Sequence, residues 1–114
     1  MFRIKRIYDT AEQQDGYRIL VDRLWPRGLS KRQANIDLWL TEVAPSDDLR
    51  KRYAHDTNKW PEFQNRYTQE LKSKSESIDH ISKLEEKHGT VTLLFAAKDT
   101  THNNAMILRD FLHK

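Results

Sequence analysis

Lys98-Asp99-Thr100-Thr101-His102-Asn103-Asn104 sets an ammonium, a carboxylate, two hydroxyls, an imidazole and two carboxamides side by side. These groups bind anions and move protons. Histidine is the side chain whose charge changes near neutrality, so His102 with Asp22 or Asp99 as partner is the acid–base candidate, and His102 and Asp22 are the catalytic pair to test. A second segment, Asp22-Arg23-Leu24-Trp25-Pro26-Arg27-Gly28, supplies two guanidiniums that can grip a phosphate or carboxylate through two N–H groups each. Lys98 adds a point charge. Free backbone N–H groups over Thr101 to Asn103, at a helix start, can cradle the same anion. The ligand-binding set is therefore Arg23, Trp25, Arg27, Lys98, Asp99, Asn103 and Asn104, with His55 and Asp56 as a loop pair that folds over the same crevice. Simpler roles compete with these: Asp99, Thr100 or Thr101 as a helix cap, and Asp22 as an ion-pair partner of Arg23 or Arg27.

These residues need a scaffold that delivers them to one place. Val91-Thr92-Leu93-Leu94-Phe95-Ala96-Ala97 reads as a buried strand running straight into the first segment, and Tyr17-Arg18-Ile19-Leu20-Val21 as a strand ending at the second. Phe2 to Tyr8, with Phe2 and Ile4 alternating with Arg3 and Lys5, is a third. Pro26 and Gly28 end any continuation of the second strand. Between the strands the periodicity is helical. Asn35 is expected to cap a short helix bearing Ile36, Trp39, Leu40 and Val43, although Ile36, Leu38 and Leu40 also alternate. Ser46 caps a helix with Asp47 and Asp48 in its first turn and Arg50 to Arg52 in its last. Asn58 caps a longer one with Pro61 in its first turn and an inward stripe of Trp60, Phe63, Tyr67 and Leu71. Ile78 to His88 forms another, stopped by Gly89, and a last helix buries Ala105, Leu108, Phe111 and Leu112. A long helical crossover between two strands makes them parallel, with both carboxyl ends on one edge. The expected fold is thus α/β: a single compact domain over residues 1–114 with a small, mostly parallel sheet and helical crossovers. In such folds that edge is where ligands bind.

Composition narrows the chemistry. A chain of 114 residues makes one domain, large enough to bury roughly 60 to 70% of its unfolded surface without staples. It contains no cysteine, which excludes disulfides, thiolate metal sites and cysteine nucleophiles. The five histidines show no metal-ligand spacing, and no cofactor motif of the GxGxxG or Walker type and no HExxH or GxSxG is present. No metal or cofactor is implied. The start lacks an apolar signal core and no window approaches a membrane span, so a cytoplasmic location is expected. Net charge is +3, and its source is N-terminal: residues 1–32 hold eight Lys/Arg against four Asp/Glu, whereas residues 46–87 hold nine of each. The excess centres on Arg18, Arg23, Arg27, Lys31 and Arg32, which suits an anionic ligand or a nucleic acid.

Leu20 to Gly28, Ala44-Pro45-Ser46 to Leu49-Arg50, His55-Asp56 to Trp60, Phe63 to Arg66-Tyr67, Glu70-Leu71 and Leu93 to Asp99 followed by His102-Asn103-Asn104-Ala105 occur in order. On these motifs, which cover essentially the whole chain, the protein resembles the YeaO-like branch of the bacterial domain-of-unknown-function family 488. The resemblance implies a compact α/β domain in which these polar motifs matter, and it supplies no reaction. Other branches of that family carry cysteines at the last strand and a Cys-His-Arg run near the following helix. Here Phe95 and His102-Asn103-Asn104 stand instead, so the place carries over and thiol chemistry does not.

Two classes of function follow. The first is a domain binding a small anionic, phosphate-bearing ligand between the 22–28 and 98–104 segments, with His102 and Asp22 as acid–base groups. The second is a non-enzymatic module for nucleic acid or an acidic protein, or a homodimer built on the Trp60 stripe.

Overall fold

The computed structural model describes residues 1–113. Four strands, β1 (Phe2–Arg6), β2 (Tyr17–Leu20), β3 (Leu38–Trp39) and β4 (Val91–Phe95), form one sheet in the order β1-β4-β2-β3. Every neighbouring pair is parallel, with Phe2 opposite Val91, Tyr17 opposite Val91 and Ile19 opposite Leu38. All strand carboxyl ends therefore share one edge. β4 is central and buried along its whole length, which is why it reads as an apolar run with Thr92 as its one polar residue.

Among the described residues five α-helices accompany the sheet: α1 (Lys31–Ala34), α2 (Asp47–Tyr53), α3 (Trp60–Lys72), α4 (Ser75–His88) and α5 (Asn104–Leu112). Alternation along the strands divides the core. Phe2, Ile19, Val91, Leu93 and Phe95 face the larger half, completed by Leu49 and Tyr53 of α2, Phe63, Tyr67 and Leu71 of α3, Ile81 of α4, and Ala105 and Leu108 of α5. Leu20 and Leu94 face the smaller half, with Ile7 and with Ala34 of α1. The aromatic stripe of α3 is thus largely spent inside the protein's own core, where Tyr67 is fully buried and donates its hydroxyl to the Val43 carbonyl.

Three local expectations are corrected. Asn35 does not begin a helix; it ends α1 in the left-handed conformation at φ 47°, which asparagine tolerates better than most residues. The Ile36–Leu38–Leu40 alternation prevails instead, and Leu38–Trp39 add a short edge strand to β2. The α1 signal lay one step earlier, in Ser30 and Gln33, whose side chains and backbones satisfy each other as a capping box. Before α3, Asp56 rather than Asn58 caps: its carboxylate accepts the Asn58 N–H and starts a 3-10 turn over Thr57–Lys59 that leads into the helix. α4 begins at Ser75, three residues before the first apolar position of its stripe at Ile78. The cap on α2 is as expected, with Ser46 Oγ accepting from Leu49 N–H.

Candidate functional site

A cleft of about 670 Å³ opens at the carboxyl edge of the sheet. The 22–28 and 98–104 segments form most of its wall, with Tyr8, Pro45, Arg50, Tyr53, His55 and Phe63 among the residues completing it, and the junction of the two segments is direct. Asp22 follows β2, Ala96 follows β4, and Asp22 Oδ2 accepts the Ala96 N–H at 2.8 Å. From here the chains diverge: β2 continues toward α1 on the smaller core face, and β4 toward α5 on the larger one. This is a topological switch point, where outgoing chains leave a crevice open between them.

Asp22, Arg23, Trp25, Arg27, Lys98, Asp99, His102, Asn103, Asn104 and His55 all line this cleft. Asp56 does not. Its carboxylate is used in the turn before α3, so of the His55-Asp56 pair only the imidazole reaches the cleft. His55 gets there through two successive left-handed residues that follow α2, Ala54 at φ 45° and His55 at φ 60°.

Two of the N–H groups at the helix start are taken from within the protein. Asp99 Oδ1 accepts the Thr101 and His102 N–H groups, at 2.9 and 3.0 Å, and these contacts hold its carboxyl below the usual carboxylate range. Asn103 caps α5, its side-chain oxygen taking the Met106 N–H. Of the N–H groups over Thr101 to Asn103 expected to cradle an anion, those of Thr101 and His102 are therefore engaged by Asp99. The partner of His102 is Asp99, with Oδ2 lying 3.0 Å from Nδ1, while Asp22 holds Ala96. A carboxylate on Nδ1 favours the tautomer that leaves Nε2 as the acceptor. The His102 ring also meets Trp60 edge to face at 5.1 Å.

The cations differ in how far they are committed. Arg23 Nε donates to the Pro45 carbonyl at 3.1 Å, and the guanidinium also lies 3.7 Å from Asp47. Arg50, which sequence reasoning passed over as a charge in the last turn of α2, lines the cleft and pairs with the same Asp47 at 3.3 Å. Arg27 and Lys98 have no carboxylate within ion-pair distance among the described residues. The Asp22–Arg23 and Asp22–Arg27 ion pairs do not form. Asp22 is half-buried, and burial raises its pKa against the opposing pull of the Ala96 N–H and the Asn104 amide. Arg18, counted with the N-terminal basic excess, is buried against Asp15 and the Ala34 and Asn35 carbonyls and is not a surface charge.

Residues outside the two segments hold them in place. Arg6 donates to the Ala96 and Ala97 carbonyls, fixing the exit of β4. Tyr8 donates its hydroxyl to the Arg27 carbonyl at 2.8 Å and lies under the Arg6 guanidinium, so the 22–28 loop is pinned to the end of β1. Trp25 is held by its indole N–H on the Leu29 carbonyl at 2.7 Å. The Arg6 and Tyr8 contacts join residues far apart in the chain and have no local signature. The parallel register alone would have placed Arg6 and Tyr8 on this edge. Among the described residues no cluster of histidines and carboxylates could hold a metal ion, and no helix is long and apolar enough to cross a membrane.

Fold and site together define a small parallel α/β domain with a cationic cleft at its switch point. The chain belongs to the DUF488 family, for the family model described as the inactive DUF488-N3 subclade matches residues 1–114. It is 44% identical over 108 residues to the uncharacterized protein YeaO of Escherichia coli K12, covering 95% of this chain and 93% of that protein. To the uncharacterized protein Rv3073c of Mycobacterium tuberculosis H37Rv it is 34% identical over 111 residues, covering 97% and 92%. No solved structure matches the chain.

Proposed function

We propose that the cleft binds a small phosphate-bearing ligand and does so without turning it over. The observation that carries this reading is the charge lining: Arg23, Arg27, Arg50 and Lys98 face one space with Asp22 and Asp99 as the opposing carboxylates. Arg23 and Arg50 are already engaged by Asp47 and backbone carbonyls, so Arg27 and Lys98 are the groups with charge to give a ligand. An Arg supplies a planar fork and a Lys a compact charge, a complementary pair for a phosphate. Tyr8, Trp25, Pro26 and Phe63 give the same cleft apolar surface, and its volume is that of a small-molecule site. The description of the family model as inactive agrees with binding rather than catalysis. His102, with Asp99 on Nδ1, then serves as a hydrogen-bonding wall of the site.

Thermal shift against inorganic phosphate, pyrophosphate, nucleotides and sugar phosphates tests the reading. The parent protein is expected to gain stability with at least one of these, since a ligand that binds only the native state raises the melting temperature. Arg27→Ala and Lys98→Ala are expected to weaken that ligand about tenfold or more each, the loss of one charge-assisted contact of about 1.5 to 3 kcal/mol. A parent that no member of the panel stabilises sinks the proposal. Release of inorganic phosphate from an ester by the parent, lost in His102→Ala, would overturn the absence of turnover and restore His102 as an acid–base group.

A further inference from the structure

Asp22 is out of place in a site built only for anions. A carboxylate facing the cleft repels a phosphate, and the protein could have cancelled it with Arg23 or Arg27. Instead Arg23 is directed to the Pro45 and Ala44 carbonyls and to Asp47, and Arg27 is left without a carboxylate partner among the described residues. Asp22 is also held firmly. Oδ2 takes the Ala96 N–H at 2.8 Å, its backbone carbonyl takes the Trp39 indole N–H at 2.8 Å, and the neighbouring Asn104 amide is tied to the Val21 carbonyl at 3.0 Å. Among the described residues the other carboxylate oxygen has no backbone donor, and only the side chains of Asn104 and His55 face it from within the protein. An ionised carboxylate only accepts hydrogen bonds, so a fixed one lining a cleft is matched by donors on the ligand.

Resting on the anion-binding reading above, we infer that Asp22 accepts a hydrogen bond from a hydroxyl of the ligand, so that the cleft selects a hydroxylated phosphate ester over bare phosphate. Arg27 and Lys98 take the phosphate, Asp22 the hydroxyl, and the Trp25 and Tyr8 side chains border the remainder. Sugar phosphates and nucleoside monophosphates are the matching class, and a volume of about 670 Å³ accommodates either.

Titration calorimetry with ribose 5-phosphate, methyl phosphate and inorganic phosphate, on the parent and on Asp22→Asn, decides the matter by the sign of the change. The parent is expected to bind ribose 5-phosphate about tenfold or more tighter than methyl phosphate, because a site built to pair a hydroxyl rejects the analogue that lacks it. Asp22→Asn keeps the side-chain shape and an acceptor for Ala96. It is expected to weaken ribose 5-phosphate by a similar factor while leaving inorganic phosphate unchanged or tighter. If the substitution tightens all three ligands alike, Asp22 merely repels and the inference falls. If the parent binds methyl phosphate as well as ribose 5-phosphate, the inference falls and the anion reading stands. If the parent binds none of the three, the anion reading fails with it. Should Asp22→Asn not fold, the ratio between ribose 5-phosphate and methyl phosphate on the parent remains the test.

Discussion

Two aspartates illustrate how differently one side chain can be used. Asp15 is fully buried on the sheet's smaller-core side, between Lys5 and Arg18, with Thr92 Oγ1 donating to its backbone carbonyl. Burial pulls its pKa upward, but the Glu12 N–H, Lys5 and Arg18 together hold it below the usual carboxylate range. A carboxyl depressed in the folded state contributes stability above its unfolded value near 3.8, and that contribution is lost as pH falls through the lower folded value. Asp22 has the opposite sign. Burial raises it, so its contribution is present below the unfolded value and lost as pH rises through the folded one. Urea unfolding should separate the two. Asp15→Asn is expected to cost about 3 to 5 kcal/mol at neutral pH, because Arg18 is left buried without its counter-charge. That deficit should shrink in acid, where the parent loses the same charge. Asp22→Asn is expected to stabilise the protein at neutral pH, with the gain vanishing in acid, the usual trade between stability and a binding residue. A neutral-pH cost below about 1 kcal/mol for Asp15→Asn would show that the Asp15 cluster is not holding the sheet.

At the level of elements, what the sequence disclosed depended on how local the cause was. Ser46 before Asp47, Gly89 after α4 and the apolar run of β4 announce themselves within a few residues. The parallel pairing of β2 and β4 was also legible, because their long helical crossover permits little else. β3 was legible only as an alternation competing with a helical reading, since a two-residue edge strand exists by its partner, and Ile19 and Leu20 are what define Leu38 and Trp39. The two site segments were legible because each lies at a strand end. Arg50 and the Tyr8 contact were not, as they depend on distant packing, while the capture of the Thr101 and His102 N–H groups by Asp99 was legible only as one of three adjacent capping candidates. Strain follows the same division. Ala54 and His55 hold left-handed φ values of 45° and 60° at the rim of the cleft, a conformation costing roughly 1 to 2 kcal/mol for a side-chain-bearing residue. Ala54→Gly is expected to recover about 0.5 to 1 kcal/mol in thermal unfolding. Gly16→Ala should do the reverse and more strongly: it combines φ 65° with a Cβ that would lie 2.3 Å from the Thr90 carbonyl oxygen. Gly28→Ala, at φ 78° with open space around it, should show the conformational cost alone. Equal losses at positions 16 and 28 would mean that the Gly16–Thr90 approach is not a constraint.

Across the whole molecule, the two edges of the sheet have different duties. At the amino edge, Gly16 packs on Thr90, the Tyr17 N–H goes to the Thr90 carbonyl, and the amino terminus reaches the Gly89 carbonyl, so the strand starts are bound to one another by the chain itself. At the carboxyl edge, the ends of β2 and β4 are joined by the Val21 N–H on Leu94 O and the Ala96 N–H on Asp22, and the chains then part to opposite faces of the sheet. A ligand held by Asp22 and Arg27 on one side and Lys98 on the other would close the edge that the fold leaves open. It should therefore stabilise the protein unevenly. With ribose 5-phosphate at 100 times its dissociation constant, global stability is expected to rise by about 2.7 kcal/mol if only the native state binds. Amide exchange reports where that stabilisation is felt. Local openings at the carboxyl edge are the ones the ligand must suppress, so exchange at Val21 and Ala96 should slow, while amides at the amino edge that open only locally, such as Tyr17, should keep their rates. Slowing confined to the 22–28 loop, with Ala96 unchanged, would show that the ligand does not bridge the two strands, and the switch-point site would have to be given up.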